Sequence, residues 1–184
     1  MQPQQLETIQ AYLRDNNLDA WLIYDFRGGN PVLGQLLGAK KWTTRRVALM
    51  VPREGRAMLA VHRIDAPQFA AVDADKTVFL SWPQWQQWLR ENAAPRRRVA
   101  MEFSPNGDLP AASFVDGGVI DFVRSIGCEV VSSADLMQLC TARWSAASLE
   151  AHRRASKLVD QIKDEAFGLI RTRLLALKKV TEYG

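Results

Sequence analysis

Ala20-Trp21-Leu22-Ile23-Tyr24-Asp25-Phe26-Arg27-Gly28-Gly29-Asn30-Pro31 is the stretch on which the fold turns. The unbroken apolar run Ala20 to Tyr24 reads as a β-strand covered on both faces, because a strand with one wet face would alternate apolar and polar residues. Asp25 to Pro31 has turn chemistry. Asn30 is suited to cap a helix and Pro31 to occupy its first position, so a short helix over residues 32–37 is expected. A doubly covered strand feeding a helix predicts layered α/β architecture.

On the N-terminal side, Leu6, Ile9, Tyr12 and Leu13 recur at helical spacing, and Asn16-Asn17 ends the pattern, which predicts an amphipathic helix over residues 3–15. On the C-terminal side, Thr44-Arg45-Arg46 leads into Val47 to Val51. The turn Pro52-Arg53-Glu54-Gly55-Arg56 and the run Ala57 to Val61 then complete a β-hairpin. A strand at Thr77 to Leu80, a helix from Ser81-Trp82-Pro83 to about Asn92, and a strand at Val99 to Phe103 come next. Leu109 to Ser125 reads as a helix kinked or broken at Gly117-Gly118, followed by a strand at Cys128 to Val131. The expected fold is α/β: a three-layer domain with a mixed β-sheet flanked by helices over residues 1–142, followed by a long C-terminal linking helix in residues 143–184.

That last helix opens at Ser145 and carries Leu149, Leu158, Val159, Ile162, Ala166, Leu169, Ile170, Leu174 and Leu177 as a wide apolar stripe. About 30 residues at 1.5 Å each make a rod of about 45 Å, too long for the preceding domain to cover, so part of the stripe calls for another partner. Thr181 is a good cap for a further helix, and the chain reads as a piece of a longer protein.

The chain has 184 residues and a net charge of +4, with 47% hydrophobic residues, 11 Gly and 8 Pro. This composition excludes a disordered or collagen-like chain, and no apolar run is long enough to span a membrane. Residues 1–142 carry 15 basic and 15 acidic side chains, so the whole excess arises in residues 143–184, where nine basic residues meet five acidic ones. Pairs such as Asp160 with Lys163 mark a solvated helix face there. Arg96-Arg97-Arg98 reads as a loop entering a strand. No aromatic stacking pattern accompanies either run, and no nucleic-acid or membrane partner is expected.

Cys128 and Cys140 lack zinc-site spacing and read as small packed hydrophobes. The polar start of the chain lacks the features of a secretory signal and points to a cytoplasmic setting. His62 and His152 have no acidic companion at ligand spacing. Arg27 to Pro31 lies where an anion could meet a helix N-terminus, but it contains neither G-x-G-x-x-G nor a Walker sequence. Trp82, Trp85 and Trp88 recur every three residues, as a helical stripe facing a sheet would; an oligomer contact is the other reading. No G-x-S-x-G accompanies the Ser, His and Asp residues.

Residues 18–31, Thr44-Arg45-Arg46 ahead of the hairpin, and Arg143-Trp144-Ser145 at the entry to the last helix resemble the N-terminal, non-catalytic domain of the creatinase/prolidase/Xaa-Pro aminopeptidase family. The resemblance extends over essentially the whole chain. It implies a linking helix that leads, through a segment like Val180-Thr181-Glu182, into a "pita-bread" catalytic domain. There, two divalent metal ions (Mn, Co or Zn) would be held by two Asp, a His and two Glu. Those ligands would lie beyond Gly184, so no catalytic residue, metal ligand or cofactor of its own is expected in this chain. The resemblance further implies a substrate-gating and oligomerisation role, with Arg27, Asn30, Trp42 and Arg45 narrowing a neighbouring active site. Arg27 or Arg45 would recognise a substrate carboxylate by a forked bond.

Leu158, Ile162, Ala166 and Leu169 are the expected interface, with the protein's own catalytic domain or with a second copy in a homo-oligomer. Two other readings stay open: a stand-alone dimerising interaction module, and the N-terminal domain of a creatinase-like amidinohydrolase.

Overall fold

Strand β1 (Ala20–Phe26) is buried along all but its last residue, as its apolar run requires. In this computed structural model, residues 1–38 and 43–181 are described. The chain divides into two compact units, Met1–Ala142 and Arg143–Gly184.

In the first unit, β1 pairs antiparallel with β2 (Arg46–Pro52), in a register that sets Phe26 opposite Arg46 and Ala20 opposite Pro52. The hairpin partner β3 (Met58–His62) follows, with β4 (Asp75–Phe79) parallel beyond it. On the other side of β1 lie β5 (Arg98–Met101) and β6 (Glu129–Ser132), both parallel. The strand order is β4-β3-β2-β1-β5-β6. Only β2 runs against the rest, so the sheet is mixed and five strands share one carboxyl end.

Alternation along the strands makes two cores. Trp21, Ile23, Val47, Leu49 and Leu59 pack with α1 (Pro3–Asp15), α2 (Pro31–Leu36) and α5 (Ala134–Thr141). Leu22, Tyr24, Ala48, Met50 and Val99 pack on the other face with α3 (Trp82–Asn92) and α4 (Gly117–Ser125). The expected three layers are present.

Trp85 and Trp88 are buried in the second core, while Trp82 is 38% exposed. The helical stripe therefore faces the sheet for two of its three rings. Gln84 fastens the start of α3 by accepting from the backbone N–H groups of Leu80 (2.7 Å) and Ser81 (3.2 Å), a reciprocal N-terminal cap.

Two local expectations change. The helix anticipated over residues 109–125 is only a 3₁₀ turn at Pro110–Ala112 followed by α4. Between them, the N–H groups of Phe114 and Val115 both bond to the Glu102 carbonyl (3.0 Å each), which holds that segment extended. Asp116 then caps the new helix by accepting from Val119 N–H (3.0 Å). Gly117-Gly118 therefore begins a helix rather than kinking one. Helix α5 was not anticipated: its eight residues are short for a periodic signal, and burial of Leu136 against the first core holds it.

In the second unit, α6 (Ala146–Leu175) runs 30 residues from its Ser145 cap, whose hydroxyl accepts from Ser148 N–H (3.0 Å), and none of its residues is buried. Leu158, Ile162 and Leu169 are 58%, 65% and 56% exposed. No helix among the described residues is long and apolar enough to cross a membrane.

Candidate functional site

The carboxyl end of the parallel strands gathers most of the unusual polar chemistry. This is the end at which open α/β sheets bind ligands. Strand β1 ends in Asp25-Phe26, and the chain then reverses through Arg27 (φ 59°) and Gly28 (φ 72°). A left-handed arginine is disfavoured and needs support. Asp25 supplies it: its buried carboxylate accepts from the N–H groups of Gly28 (3.1 Å) and Asn30 (2.8 Å) and from the Thr43 hydroxyl (2.5 Å).

Asn30 is the cap expected from its sequence, its side-chain oxygen accepting from Val32 N–H (3.0 Å). It is also buried, and its amide nitrogen donates to the Tyr24 carbonyl (2.8 Å) and to Glu102 Oε2 (2.8 Å). Both amide hydrogens are therefore spent inside the fold.

Glu102, just past the end of β5, is fully buried. Besides Asn30 it accepts from the Trp21 indole N–H and the Ser133 hydroxyl (3.1 Å). Burial pushes its carboxyl up to about 7, and the bonds from Trp21, Asn30 and Ser133 restrain that rise by favouring the charged form. One side chain thereby joins β1, the loop before α2, β5 and the start of α5.

A third buried carboxylate, Asp65, accepts from Thr44 N–H (3.0 Å), the Thr44 hydroxyl (3.1 Å) and Arg45 N–H (2.9 Å). It anchors the strand-entry segment from the far side of β3.

The cations of this corner are treated differently. Arg27 and Arg45 are exposed. The guanidinium of Arg45 donates to its neighbour's carbonyl, Thr44 O (3.1 Å), and among the described residues neither Arg27 nor Arg45 forms an ion pair. Trp42, expected beside them, lies outside the described residues. Arg46, on the rung opposite Phe26, points to the second core's face. Its guanidinium lies 4.1 Å from the Trp82 ring centre and 5.4 Å from that of Phe26.

Trp82 stacks on Trp85 (4.8 Å, 16°), and Phe122 closes the cluster at 6.4 Å from each indole. Arg90 caps the Phe122 ring at 5.0 Å. Burial raises the Tyr24 hydroxyl to about 12, with Arg46 acting in the opposite sense.

Sequence reading missed Glu102 and Arg46. For Arg46 a signal existed: stepping back by two from Met50 and Ala48 places it on their face. For Glu102 there was none, since its partners stand 81, 72 and 31 residues away.

The remaining candidates have structural surroundings. The His62 ring accepts from Ile64 N–H at Nδ1 (3.3 Å), faces the Leu80 carbonyl at Nε2 (3.1 Å) and packs edge-on to Phe79. His152 packs against Trp144 at 4.4 Å in the second unit. Cys128 and Cys140 are free thiols raised by burial, Cys140 to about 11. Among the described residues no three His, Cys, Asp or Glu side chains gather as a metal site. A shallow cleft of about 570 Å³ lies between the loop after β5 and α4, with Ser104, Asn106, Asp121 and Arg124 on its walls.

Neither a protein-family model nor a curated protein matches the sequence. Solved structures do. Dipeptidase PepE from Mycobacterium ulcerans superposes with a TM-score of 0.65 at 16% identity, over 88% of this chain and 42% of that one. The prolidase from Pyrococcus horikoshii OT3 gives 0.58 at 16% identity, over 86% of this chain and 40% of that one. An isolated creatinase/prolidase N-terminal domain of an X-Pro dipeptidase from Streptococcus pyogenes gives 0.57 at 14% identity, over 74% of this chain and 98% of that one. This chain thus spans less than half of the longer enzymes and nearly all of the isolated domain. With its mixed six-stranded sheet, two helical layers and long C-terminal helix, it has the fold of a creatinase/prolidase N-terminal domain.

Proposed function

We propose that this chain is the N-terminal substrate-gating and oligomerisation domain of a metal-dependent Xaa-Pro peptidase of aminopeptidase P or prolidase type, and is not catalytic by itself. The observation that carries this reading is the pattern of structural coverage. Isolated N-terminal domains match 71–74% of the chain, whereas longer dipeptidases and prolidases match 86–90% of it with 40–44% of their own length. The difference corresponds to about the length of α6, which favours a linking helix that leads into a further domain. Two divalent ions, Mn, Co or Zn, would act in that domain, with the chemistry of a metal-activated hydroxide. Arg27 and Arg45, exposed at the carboxyl end of the sheet, would narrow the substrate mouth; Asn30 would position the loop that carries Arg27. The protein would work in the cytoplasm.

The test is to express the entire reading frame that contains these residues and assay it with Mn²⁺ against Xaa-Pro dipeptides, a longer Xaa-Pro peptide and creatine. Hydrolysis next to proline, with KM raised in Arg27→Ala and Arg45→Ala, is expected. Creatine turnover alone would favour the amidinohydrolase alternative.

The exposed apolar residues of α6 favour a second reading, a stand-alone module that dimerises through Leu158, Ile162, Ala166 and Leu169. Sedimentation equilibrium of the chain beside Leu158→Asp/Ile162→Asp decides it: a dimer abolished by the variant supports this reading, and a monomer unchanged by it removes the reading.

A further inference from the structure

Glu102 places a carboxylate where no cation balances it. The group is fully buried, and a carboxylate stripped of water without a counter-charge gains a strong preference for a proton. Its side-chain partners are all neutral: the Trp21 indole and the Ser133 hydroxyl donate to Oε1, and the Asn30 amide donates to Oε2. The titratable groups on the elements packed around it are Asp25 on β1, Arg27 on the loop that follows, Asp116 before α4, Asp135 and Cys140 on α5, and Tyr12 on α1. Asp25 accepts from Gly28, Asn30 and Thr43, Asp116 from Val119 N–H, and Asp135 from the Tyr12 hydroxyl (3.4 Å), while Arg27 is exposed. Among the described residues none of the six hydrogen-bonds to Glu102.

A proton added to this carboxylate turns one oxygen into a donor, which then needs an acceptor. An indole N–H cannot accept. Asn30 could accept only through its side-chain oxygen, and that atom is held by Val32 N–H (3.0 Å) as the cap of α2. Ser133 is different, because a hydroxyl can reverse. It stands at the N-cap position of α5, yet its side chain makes no capping bond there, so its reversal removes no cap from that helix. The proton therefore belongs on Oε1, with the Ser133 oxygen accepting from it. Oε2 then ceases to share a negative charge, and the bond from Asn30 falls from charge-assisted to neutral, about half its strength.

That bond reaches beyond the core. The second hydrogen of the same amide goes to the Tyr24 carbonyl, and the Asn30 backbone N–H goes to Asp25, which also holds Gly28 N–H. The left-handed reversal at Arg27 and Gly28 is thus tied to Glu102 through one residue. We infer that Glu102 and Ser133 form a proton-operated latch on the loop of residues 27–30, which is held tightly when Glu102 is ionised and loosened when it takes up a proton. That this loop borders a substrate mouth rests on the peptidase reading above; the latch itself belongs to this chain. Ionisation tightens the loop locally even though the desolvated charge lowers the stability of the whole domain, and this opposition separates a latch from a merely structural acid.

The test follows the 184-residue chain, labelled with ¹³C and ¹⁵N, from pH 5 to 9. The Glu102 carboxyl carbon and the Trp21 indole N–H should titrate together with a midpoint of about 7. Hydrogen exchange of the Gly28 and Asn30 amides, corrected for the base-catalysed rise of a free chain, should slow by about fivefold across the same transition, the factor that separates a charge-assisted from a neutral hydrogen bond. Glu102→Gln, which stays neutral and can donate to Ser133, should abolish the transition and keep both amides at the faster corrected rate throughout. If that variant does not fold, the carboxyl signal of the wild type still reports the ionisation directly beside the loop amides.

A Glu102 carboxyl that does not titrate between pH 5 and 9, loop amides indifferent to its titration, or the same amide transition in Glu102→Gln would each overturn the proposal. Failure of the peptidase reading would show separately, as absent Xaa-Pro hydrolysis by the full reading frame, and would leave this titration unaffected.

Discussion

Asp25, Asp65 and Glu102 lie buried at the carboxyl end of the sheet, and each accepts three hydrogen bonds from amides, hydroxyls or an indole. Arg27, Arg45 and Arg46 stand at the same corner with no acidic partner among the described residues. The acids are consumed in holding loops and the cations are left over. A carboxylate bonded by neutral donors stabilises local structure and keeps its own charge, so the acids of this corner act on the nearby cations through space without contacting them. The same economy shows that a buried acid is not by itself a catalytic group: here it is a bracket.

The largest test of this contrast is Glu102→Ala. It strands the Trp21 indole, the Asn30 amide and the Ser133 hydroxyl in the core, and at about 1–3 kcal/mol for each unsatisfied buried donor, partly relieved by water, a loss of about 3–5 kcal/mol is expected in urea unfolding. A loss below about 1 kcal/mol would show that the bracket is dispensable.

The pH dependence of the same group comes next. Its folded pKa of about 7 lies above its ordinary 4.5, so between those values the folded state holds a proton that the unfolded state releases. The stabilisation from this group is therefore complete below about pH 4.5 and is lost as pH rises through about 7. About 2.5 units of difference correspond to about 3 kcal/mol. Unfolding free energies of the wild type and Glu102→Gln at pH 5 and 8 should diverge in that sense, the variant gaining relative to the wild type at the higher pH. Parallel profiles would mean that the carboxylate is ionised at both.

Asp65→Ala removes the acceptor of two backbone amides and a hydroxyl in a partly exposed segment, where water can substitute; a loss of about 1–2 kcal/mol is expected, read as a lower urea midpoint with unchanged slope. The smallest effects belong to the cations. Arg27→Ala should lie within about 0.5 kcal/mol of wild type, while Arg27→Gly, which relieves the left-handed backbone, should gain about 0.5–1 kcal/mol. A destabilisation above about 1 kcal/mol in Arg27→Ala would break the contrast by showing that this cation, too, serves the fold.

Much of the architecture was legible from local pattern. The continuous run Ala20 to Tyr24, the five-residue turn of the hairpin, the Asn30-Pro31 start and the Ser145 cap each depend on residues within a few positions of one another. Periodicity and capping report such short-range physics directly. Helix α5 escaped because eight residues yield little periodicity and its stability comes from packing. The break before Gly117 escaped because it is imposed by the Glu102 carbonyl, distant in sequence.

The site divides on the same line. Arg27, Asn30 and Arg45 were visible as a strand-to-helix corner and a strand entry, but sequence did not show that Asn30 would be buried with both amide hydrogens committed. Composition and pattern alone determined a layered α/β domain followed by a long, basic, incompletely covered helix, since the hydrophobic effect acts through residue spacing. Only tertiary structure decided which charges would be quenched. The partners of Glu102 come together through the sheet, and Arg46 meets Trp82 only when α3 packs across the amino end of β2, beside the carboxyl end of β1. Desolvation and hydrogen bonding depend on neighbours in space, which linear spacing does not record.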